Sequence, residues 1–441
     1  MGKNKYVFFS QLGFTDPVRD SSEGPMLHII RKYAPEKVYL FMTQEVYNNH
    51  LKDNRYVSAI KRQAENQNRD VPDIEMFDEG RDIDDPSDYD IFLDLFYMLV
   101  KRVMETHPDS IILVNASSGT PQMLGALCMV GITLGGNIKM IQVKTPKKGA
   151  NYAIDKYSEE DAIEVYENIG EVEDRCSETK VNDFRKSILS AKVKELLDSY
   201  NYNAALSLLK ENSKTFSNEA LRLASFAVKK SIWDYKSADT DLPEYAIRYC
   251  PIKTNEPRIR AIVEYYLTIR LEESRKDFAN MVLKLSPILT AIATEIIINK
   301  FGFDLEKVIE NERLIRQKIY YTNKDLLDYI ERMGQLKSAD YVNLSYIINM
   351  LKYFMESDSR YSKYSEQVGY LEELREVEKD VRHKAAHKMV INSEKMFEKV
   401  GSYKEFLAKL DRLVFLLYSD SLKEGWRNVY KDINKEIIEL L

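Results

Sequence analysis

The chain has 441 residues, 44% hydrophobic and 30% charged, the make-up of a globular protein with room for two or three separate cores. Its net charge of −6 and isoelectric point near 5.7 exclude a protein that coats nucleic acid, because phosphate binding without sequence preference needs a basic surface. Cys128, Cys176 and Cys250 are widely spaced and odd in number, which excludes a disulfide framework and fits a reducing compartment. At the N-terminus the apolar stretch is too short for a signal peptide, and Tyr6 stands where myristoylation would want Ser or Thr. No apolar run is expected to span a bilayer, and the expectation is a cytoplasmic protein with no membrane contact.

The first 150 or so residues alternate strand and helix. Tyr6 to Ser10 is a short apolar run ended by Gly13 and Pro17, and Met26, Ile29, Ile30 and Tyr33 follow with helical spacing. Lys37 to Thr43 is the second strand, and a polar helix runs on to about Asn68. Asp73 to Phe77 is the third strand, followed by an acidic loop from Asp78 to Asp90 and a helix to Thr106. That loop reads as a solvated excursion and not as a magnesium site. Ser110 to Asn115, a helix from Pro121 to Leu134, and Ile138 to Val143 complete the series. Strands that are apolar throughout and separated by helices predict a parallel sheet covered on both faces, a Rossmann-like domain.

Ligands of such sheets sit beyond the carboxyl ends of the strands. After the fourth strand comes Asn115-Ala-Ser-Ser-Gly-Thr-Pro-Gln122, where Gly119 permits a tight turn, Thr120 can cap and Pro121 suits the first helical position. Four side chains in this loop can hydrogen-bond a polar ligand, and the helix N-terminus favours phosphate. The loop Gln11 to Arg19 opens onto the same edge, and so does Lys144-Thr-Pro-Lys-Lys148. Nothing here matches the dinucleotide or P-loop glycine patterns, which disfavours a redox enzyme or an NTPase. No histidine follows Ser117 or Ser118 within the domain to activate a serine nucleophile.

From about Ser158 onward the chain reads as helix after helix, with stripes such as Val193, Leu196, Leu197 and Tyr200, or Leu407, Leu410, Leu413, Val414 and Leu417. Near its end, Leu371, Leu374, Val377 and Val381 form the apolar stripe of an amphipathic helix that carries Arg382, His383 and His387. Arg382 and His387 lie about 140° apart around such a helix and roughly 7.5 Å apart along it. A second copy of the helix, packed antiparallel across a two-fold axis, closes that gap, and Ala385 and Ala386 leave room for it. Two plainer readings stand beside this one. Glu378, four residues before Arg382, makes the arginine an exposed ion-pair partner. His383 and His387 have zinc-ligand spacing, but Lys384 stands where a metalloprotease helix has glutamate.

The Asn-x-Ser-Ser-Gly-Thr-Pro-Gln stretch at 115–122, on a Rossmann-like sheet and followed by Arg-x4-His at 382–387 in a helical C-terminus, resembles the CARF-HEPN ribonucleases of type III CRISPR systems over the whole chain. The resemblance implies a CARF ligand-sensing domain at 1–170, an all-α connector at 171–280 and an all-α HEPN ribonuclease domain at 281–441. It implies an activator, a cyclic oligoadenylate made by the interference complex, with cyclic hexa-adenylate favoured over cyclic tetra-adenylate. The ligand residues it implies are Gly13, Thr15, Asp16, Asn115, Ser117, Ser118, Gly119, Thr120, Pro121 and Gln122, to which the basic loop adds Lys144. The implied catalytic pair is Arg382 and His387. His383 departs from the polar residue that many relatives have after the arginine, and it is read as assisting.

The chemistry follows from the side chains themselves. A histidine exchanges the proton of a 2′-hydroxyl at neutral pH, and an arginine offers a charged fork matched to phosphate oxygens. Attack on the adjacent phosphorus leaves a 2′,3′-cyclic phosphate and a 5′-hydroxyl, with no metal and no cofactor in catalysis. The expected partners are single-stranded RNA, the cyclic activator and a second copy of the chain in a homodimer, without a stable complex with the CRISPR interference complex. Slow cleavage of its own activator is a further activity found in some relatives. The rival from another class is a non-catalytic ligand-sensing interaction module with a helical partner-binding domain.

Overall fold

The computed structural model describes residues 5–19, 22–145, 173–334, 336–387, 394, 397 and 401–441, with backbone alone at 19 and 382–387. The chain divides into two compact units, Met1–Ala191 and Lys192–Leu441.

The first unit is built on strands β1 (Tyr6–Gln11), β4 (Lys37–Phe41), β5 (Asp73–Phe77), β6 (Ile111–Asn115), β7 (Ile138–Val143) and β8 (Cys176–Glu178). They lie in the order β5-β4-β1-β6-β7-β8, parallel except for β8, which runs antiparallel to β7. Two short strands, β2 (Val18–Arg19) and β3 (Ser22–Glu23), pair on each other. Alternation along the strands sends Phe8, Leu40, Leu113 and Ile141 to one face, against Leu27, Ile30 and Ile60 of helices α1 (Pro25–Tyr33) and α3 (Arg55–Asn66). Phe9, Phe41, Val114 and Met140 go to the other face, against Phe92, Phe96, Leu127 and Val130 of α4 (Tyr89–Thr106) and α5 (Pro121–Leu134). Both faces are thus apolar because both are covered, as the unbroken hydrophobic runs of the strands require.

Two departures from the sequence reading have local causes. The polar helix up to Asn68 is two helices, α2 (Gln44–Asp53) and α3, parted at Asn54, whose φ of 54° ends α2 in the left-handed region that asparagine tolerates. The strand β8 was not expected where helices were read, because it is three residues long and largely polar, as edge strands often are. Beyond it, Arg185 closes the unit by donating to the carbonyls of Ile132 and Thr133 at the end of α5, at 2.5 and 2.7 Å.

Among its described residues the second unit is mainly helical between Tyr202 and Glu439, with an isolated bridge between Ile252 and Leu422 and one small sheet. A three-stranded antiparallel sheet joins Ile309–Glu310, Arg313–Ile315 and Ala339–Tyr341. Asn311 and Glu312 make its hairpin turn, both at positive φ (47° and 61°). Strands this short carry no readable alternation. The expectation that no segment could span a bilayer is also corrected. Phe278–Lys300, 23 residues, is long and apolar enough by length and composition, yet 56% of its most apolar window is buried within the protein. It packs here as core, broken into Phe278–Leu283, Leu285–Glu295 and a π-helical turn, Ile296–Lys300.

The centre of this unit holds a charge pair. Lys230 Nζ donates to both carboxylate oxygens of Glu264 at 2.6 and 2.5 Å, with each side chain 1% exposed, while Arg260 Nε lies 3.7 Å from Glu264 Oε1. Desolvation offsets most of the attraction within such a pair, so losing one partner costs far more than losing both. Lys230→Met alone is expected to destabilise the protein by about 3 to 5 kcal/mol, and Lys230→Met with Glu264→Leu by much less. Urea unfolding of the two variants measures the difference.

Candidate functional site

The carboxyl edge of the sheet brings together the loops after β1 and β6. Gln11, at the last position of β1 and fully buried, donates through Nε2 to the carbonyl oxygens of Asn115 at 2.9 Å and Ser118 at 2.6 Å. Asn115, also fully buried, donates through Nδ2 to Ser10 Oγ at 2.9 Å and Ser118 Oγ at 2.8 Å, and its Oδ1 accepts from the Ser117 N–H at 2.9 Å. Ser117 Oγ accepts from the Val143 N–H of β7 at 2.8 Å. Thr120 caps α5 by accepting from the Met123 N–H at 3.3 Å and donates to the Pro86 carbonyl at 2.8 Å, which ties down the acidic loop.

The side chains of Asn115, Ser117, Ser118 and Thr120 are therefore each committed to protein partners. Through these bonds they shape the loop. What the edge offers a ligand is the half-buried Gly13, Thr15, Gly119 and Gln122, with exposed Pro121 and Lys144 around them. The two glycines carry the close approach of the loops. A Cβ on Gly13 would lie 2.7 Å from the Gly119 amide nitrogen, and Gly119 itself sits at φ +86°.

Asp16 is buried, 4% exposed, and its Oδ1 accepts from the Met26 N–H at 2.9 Å, at the first turn of α1. Burial is the strongest influence on this carboxyl and outweighs hydrogen bonding to Ser118 and to the backbone of Met26 and Gly13, so its pKa is raised to about 6. Beside it, Glu23 goes the other way. Burial pushes it up, but His28, Arg31 and Gln63 together hold it down to about 2. Arg31 grips Glu23 with two donors at 2.7 and 2.5 Å.

Gln11 and Arg175 were missed by sequence reasoning. Gln11 could have been found as the polar residue that ends an apolar strand at the ligand edge. Arg175 left no signal, since it reaches the edge only through the antiparallel return of β8. Its guanidinium donates to the carbonyls of Lys144 at 2.9 Å and Glu23 at 2.7 Å, and its N–H donates to His28 Nε2 at 2.9 Å. His28, Asp174 and Cys176 bring potential metal-ligand atoms within 4.8 Å of one another. Each is better explained as part of this tie. His28 Nε2 is occupied by Arg175, Asp174 pairs with Lys32 at 2.7 Å, and burial pushes the Cys176 thiol up to about 11, away from the thiolate a metal needs.

In the second unit, Arg382, His383 and His387 all fall within the helix Ser365–His387. Their side chains lie outside the described residues, as do Lys147 and Lys148 of the basic loop. The stripe that anchors the helix is Val368, Leu371, Leu374 and Val381, all buried, whereas Val377 is only half-buried. Its place is taken by Glu378, which is 0% exposed and ion-paired to Arg375 one turn before it. Glu378 is thus not the exposed surface carboxylate of the plain ion-pair reading. Position 382 lies about 40° from Glu378 around the axis, and position 387 about 180° from it, on the opposite side of the helix.

These observations define a ligand-sensing α/β unit followed by a helical unit whose long helix carries an Arg-x4-His pair, and the comparisons agree. Family models for the Cas_Csm6 CARF domain, the CRISPR-associated protein Csm6 6H domain and the Cas_Csm6 HEPN domain match residues 73–180, 179–231 and 249–438. The CRISPR system endoribonuclease Csm6 of Enterococcus italicus is 30% identical over 67% of this chain and 68% of its own length. That of Mycobacterium tuberculosis is 26% identical over 90% of both chains. The chain belongs to the Csm6 family. A solved structure of Enterococcus italicus Csm6 bound to cyclic hexa-2′-fluoro-hexa-dAMP shares the fold, with a TM-score of 0.76 at 22% identity over 99% of this chain and 100% of that one.

Two expectations follow from the edge. A folded-state pKa raised from 3.8 to about 6 stabilises the fold below pH 3.8, and this stabilisation is lost as the pH rises through about 6. Ionised Asp16 then costs on the order of 3 kcal/mol at neutral pH. Asp16→Asn should therefore gain stability relative to wild type between about pH 4 and about pH 8, and parallel thermal melts of the two proteins over that range would refute it. Gly13→Ala should push the two loops apart and weaken ligand binding at this edge at least about tenfold while unit 2 keeps its melting transition, as calorimetry would report.

Proposed function

We propose that this protein is a CRISPR-associated endoribonuclease that cuts single-stranded RNA when a cyclic oligoadenylate occupies the carboxyl edge of its α/β unit. The observation that carries the reading is the locked loop 115–122. The side chains of Asn115, Ser117, Ser118 and Thr120 are turned to protein partners, which holds the start of α5 and the two close glycines ready for an anionic, repeating ligand. The relative solved with a ring of six supports a six-membered activator.

In this reading His387 handles the proton of the attacking 2′-hydroxyl and Arg382 holds the phosphate oxygens, with His383 assisting from the same side of the helix as His387. The 2′-oxygen bonds to phosphorus as the bond to the 5′-oxygen breaks, and that oxygen leaves as a hydroxyl once it has taken up a proton. No metal takes part. Because positions 382 and 387 face different ways, the site is completed by the same helix of a second copy in a homodimer. Activator binding favours that pairing by a coupling free energy of about 1 to 3 kcal/mol. The enzyme works as a free cytoplasmic homodimer without stable attachment to the interference complex, and its α/β unit slowly cleaves the activator.

The test is cleavage of a labelled single-stranded RNA with cyclic hexa- or tetra-adenylate, with and without EDTA. Wild type is expected to cut with the six-membered ring, to ignore the chelator and to leave 2′,3′-cyclic phosphate ends. His387→Ala should lose about 10²- to 10⁴-fold, the usual share of general acid–base catalysis. No cleavage by wild type, together with untouched activity in cells for Arg382→Ala and His387→Ala, would leave a binding module in place of an enzyme, and abolition of cleavage by EDTA would point to a metal.

A further inference from the structure

The helical unit contains a cavity of about 630 Å³ lined by Trp233, Tyr265, Ile262, Ile298, Glu295 and Arg258, among others. That volume lies within the range of about 300 to 1,000 Å³ of small-molecule pockets, and so does its character, mostly apolar with a few polar groups. Trp233 and Tyr265 meet edge to face with ring centroids 5.1 Å apart. The indole is 44% exposed, yet it is held in place by its Nε1–H, which donates to the Ala261 carbonyl at 3.3 Å. Its backbone stands at φ +67°, which is strained for so bulky a residue.

Glu295 is the unusual member. It is 5% exposed, no lysine or arginine among the described residues pairs with it, and the side-chain amide of Asn299 is its one donor there. A carboxylate can accept about four hydrogen bonds, so most of this one's accepting capacity is open to a ligand. Directly after it comes the π-helical turn Ile296–Lys300, closed by the Phe301 N–H on the Ile296 carbonyl at 3.0 Å. Such turns concentrate at functional sites.

We infer that this cavity binds a guanine base. The aromatic pair offers a surface for a flat ring system. The pairing edge of guanine carries N1–H and an exocyclic amino group side by side, two donors matched to a carboxylate. Adenine presents an acceptor at N1, which a carboxylate repels. Arg258 is exposed, forms no ion pair among the described residues and supplies charge for the attached phosphate. The base belongs either to a free guanine nucleotide or to an unpaired guanosine of an RNA strand, and only the second source rests on the ribonuclease reading above.

The chain has two tryptophans and Trp426 is 4% exposed, so quenching of tryptophan emission by an added base reports on Trp233. The full chain is titrated with GMP, AMP, guanosine, and 2′-O-methyl single-stranded oligonucleotides with and without a guanosine. Saturable quenching is expected with GMP or with the guanosine-containing strand, and at least about tenfold weaker binding of AMP and of the guanosine-free strand. Quenching by GMP identifies a free nucleotide, and quenching by the strand alone identifies RNA. Glu295→Gln should weaken the guanine ligand at least about tenfold. Arg258→Ala, at an exposed position, should weaken GMP and leave guanosine unchanged. No saturable quenching by either guanine ligand, equal binding of AMP and GMP to wild type, or an unchanged affinity in well-folded Glu295→Gln each overturns the inference. None of these readouts requires cleavage, so failure here and failure of the ribonuclease reading are separable.

Discussion

The Gln11 side chain sits at the end of the central parallel strand and spends both hydrogens of its amide on the backbone of the loop after β6. Buried amide hydrogens need partners, and the carbonyls of Asn115 and Ser118 supply them when the loop is bent as seen. Asn115 then repeats the device one strand over, clamping Ser10 and Ser118. With these two carboxamides in place, Gly13 and Gly119 are forced together, Thr120 is aligned to cap α5, and the rim has one shape before any ligand arrives. Preorganisation of this kind removes ordering costs from the binding step.

Much of this was legible in the amino-acid order. The five parallel strands fell where the reading placed them, the central ones marked by apolar runs because both faces are covered, while the polar helix to Asn68 proved to be two. The motif at 115–122 and the resemblance built on it led to the family that the comparisons establish. The role of each polar residue within that motif was not legible. Asn115 and Ser118 look like ligand donors in a string of letters, and only their distances to Ser10, Gln11 and each other reveal them as internal struts. The short strands β8 and Ile309–Glu310 were invisible for a related reason. Two or three residues cannot display a period, and their pairing partners lie far off or across a turn.

The helical unit buries charge among its hydrocarbon. Lys230 and Glu264 face each other at its centre, and Glu378 occupies the position in the anchoring stripe of Ser365–His387 that Val377 was expected to fill. Buried ion pairs add little net stability, but they tolerate few alternative packings, so they define the rotation of each helix about its axis. For a helix carrying Arg382 and His387 on different sides, that rotation decides which of them meets its neighbours.

The pairing of β7 with β8 has one more implication. The Lys144 N–H donates to the Arg175 carbonyl at 2.9 Å, so two residues 31 positions apart in the chain are fastened at one rung beside the ligand edge. That rung is reinforced by the Arg175 guanidinium, which donates to the carbonyls of Lys144 and Glu23. A single guanidinium thus transmits any displacement of the edge strand to the short hairpin that precedes α1, so the rim at Lys144 and the acid pocket at Glu23 move as one.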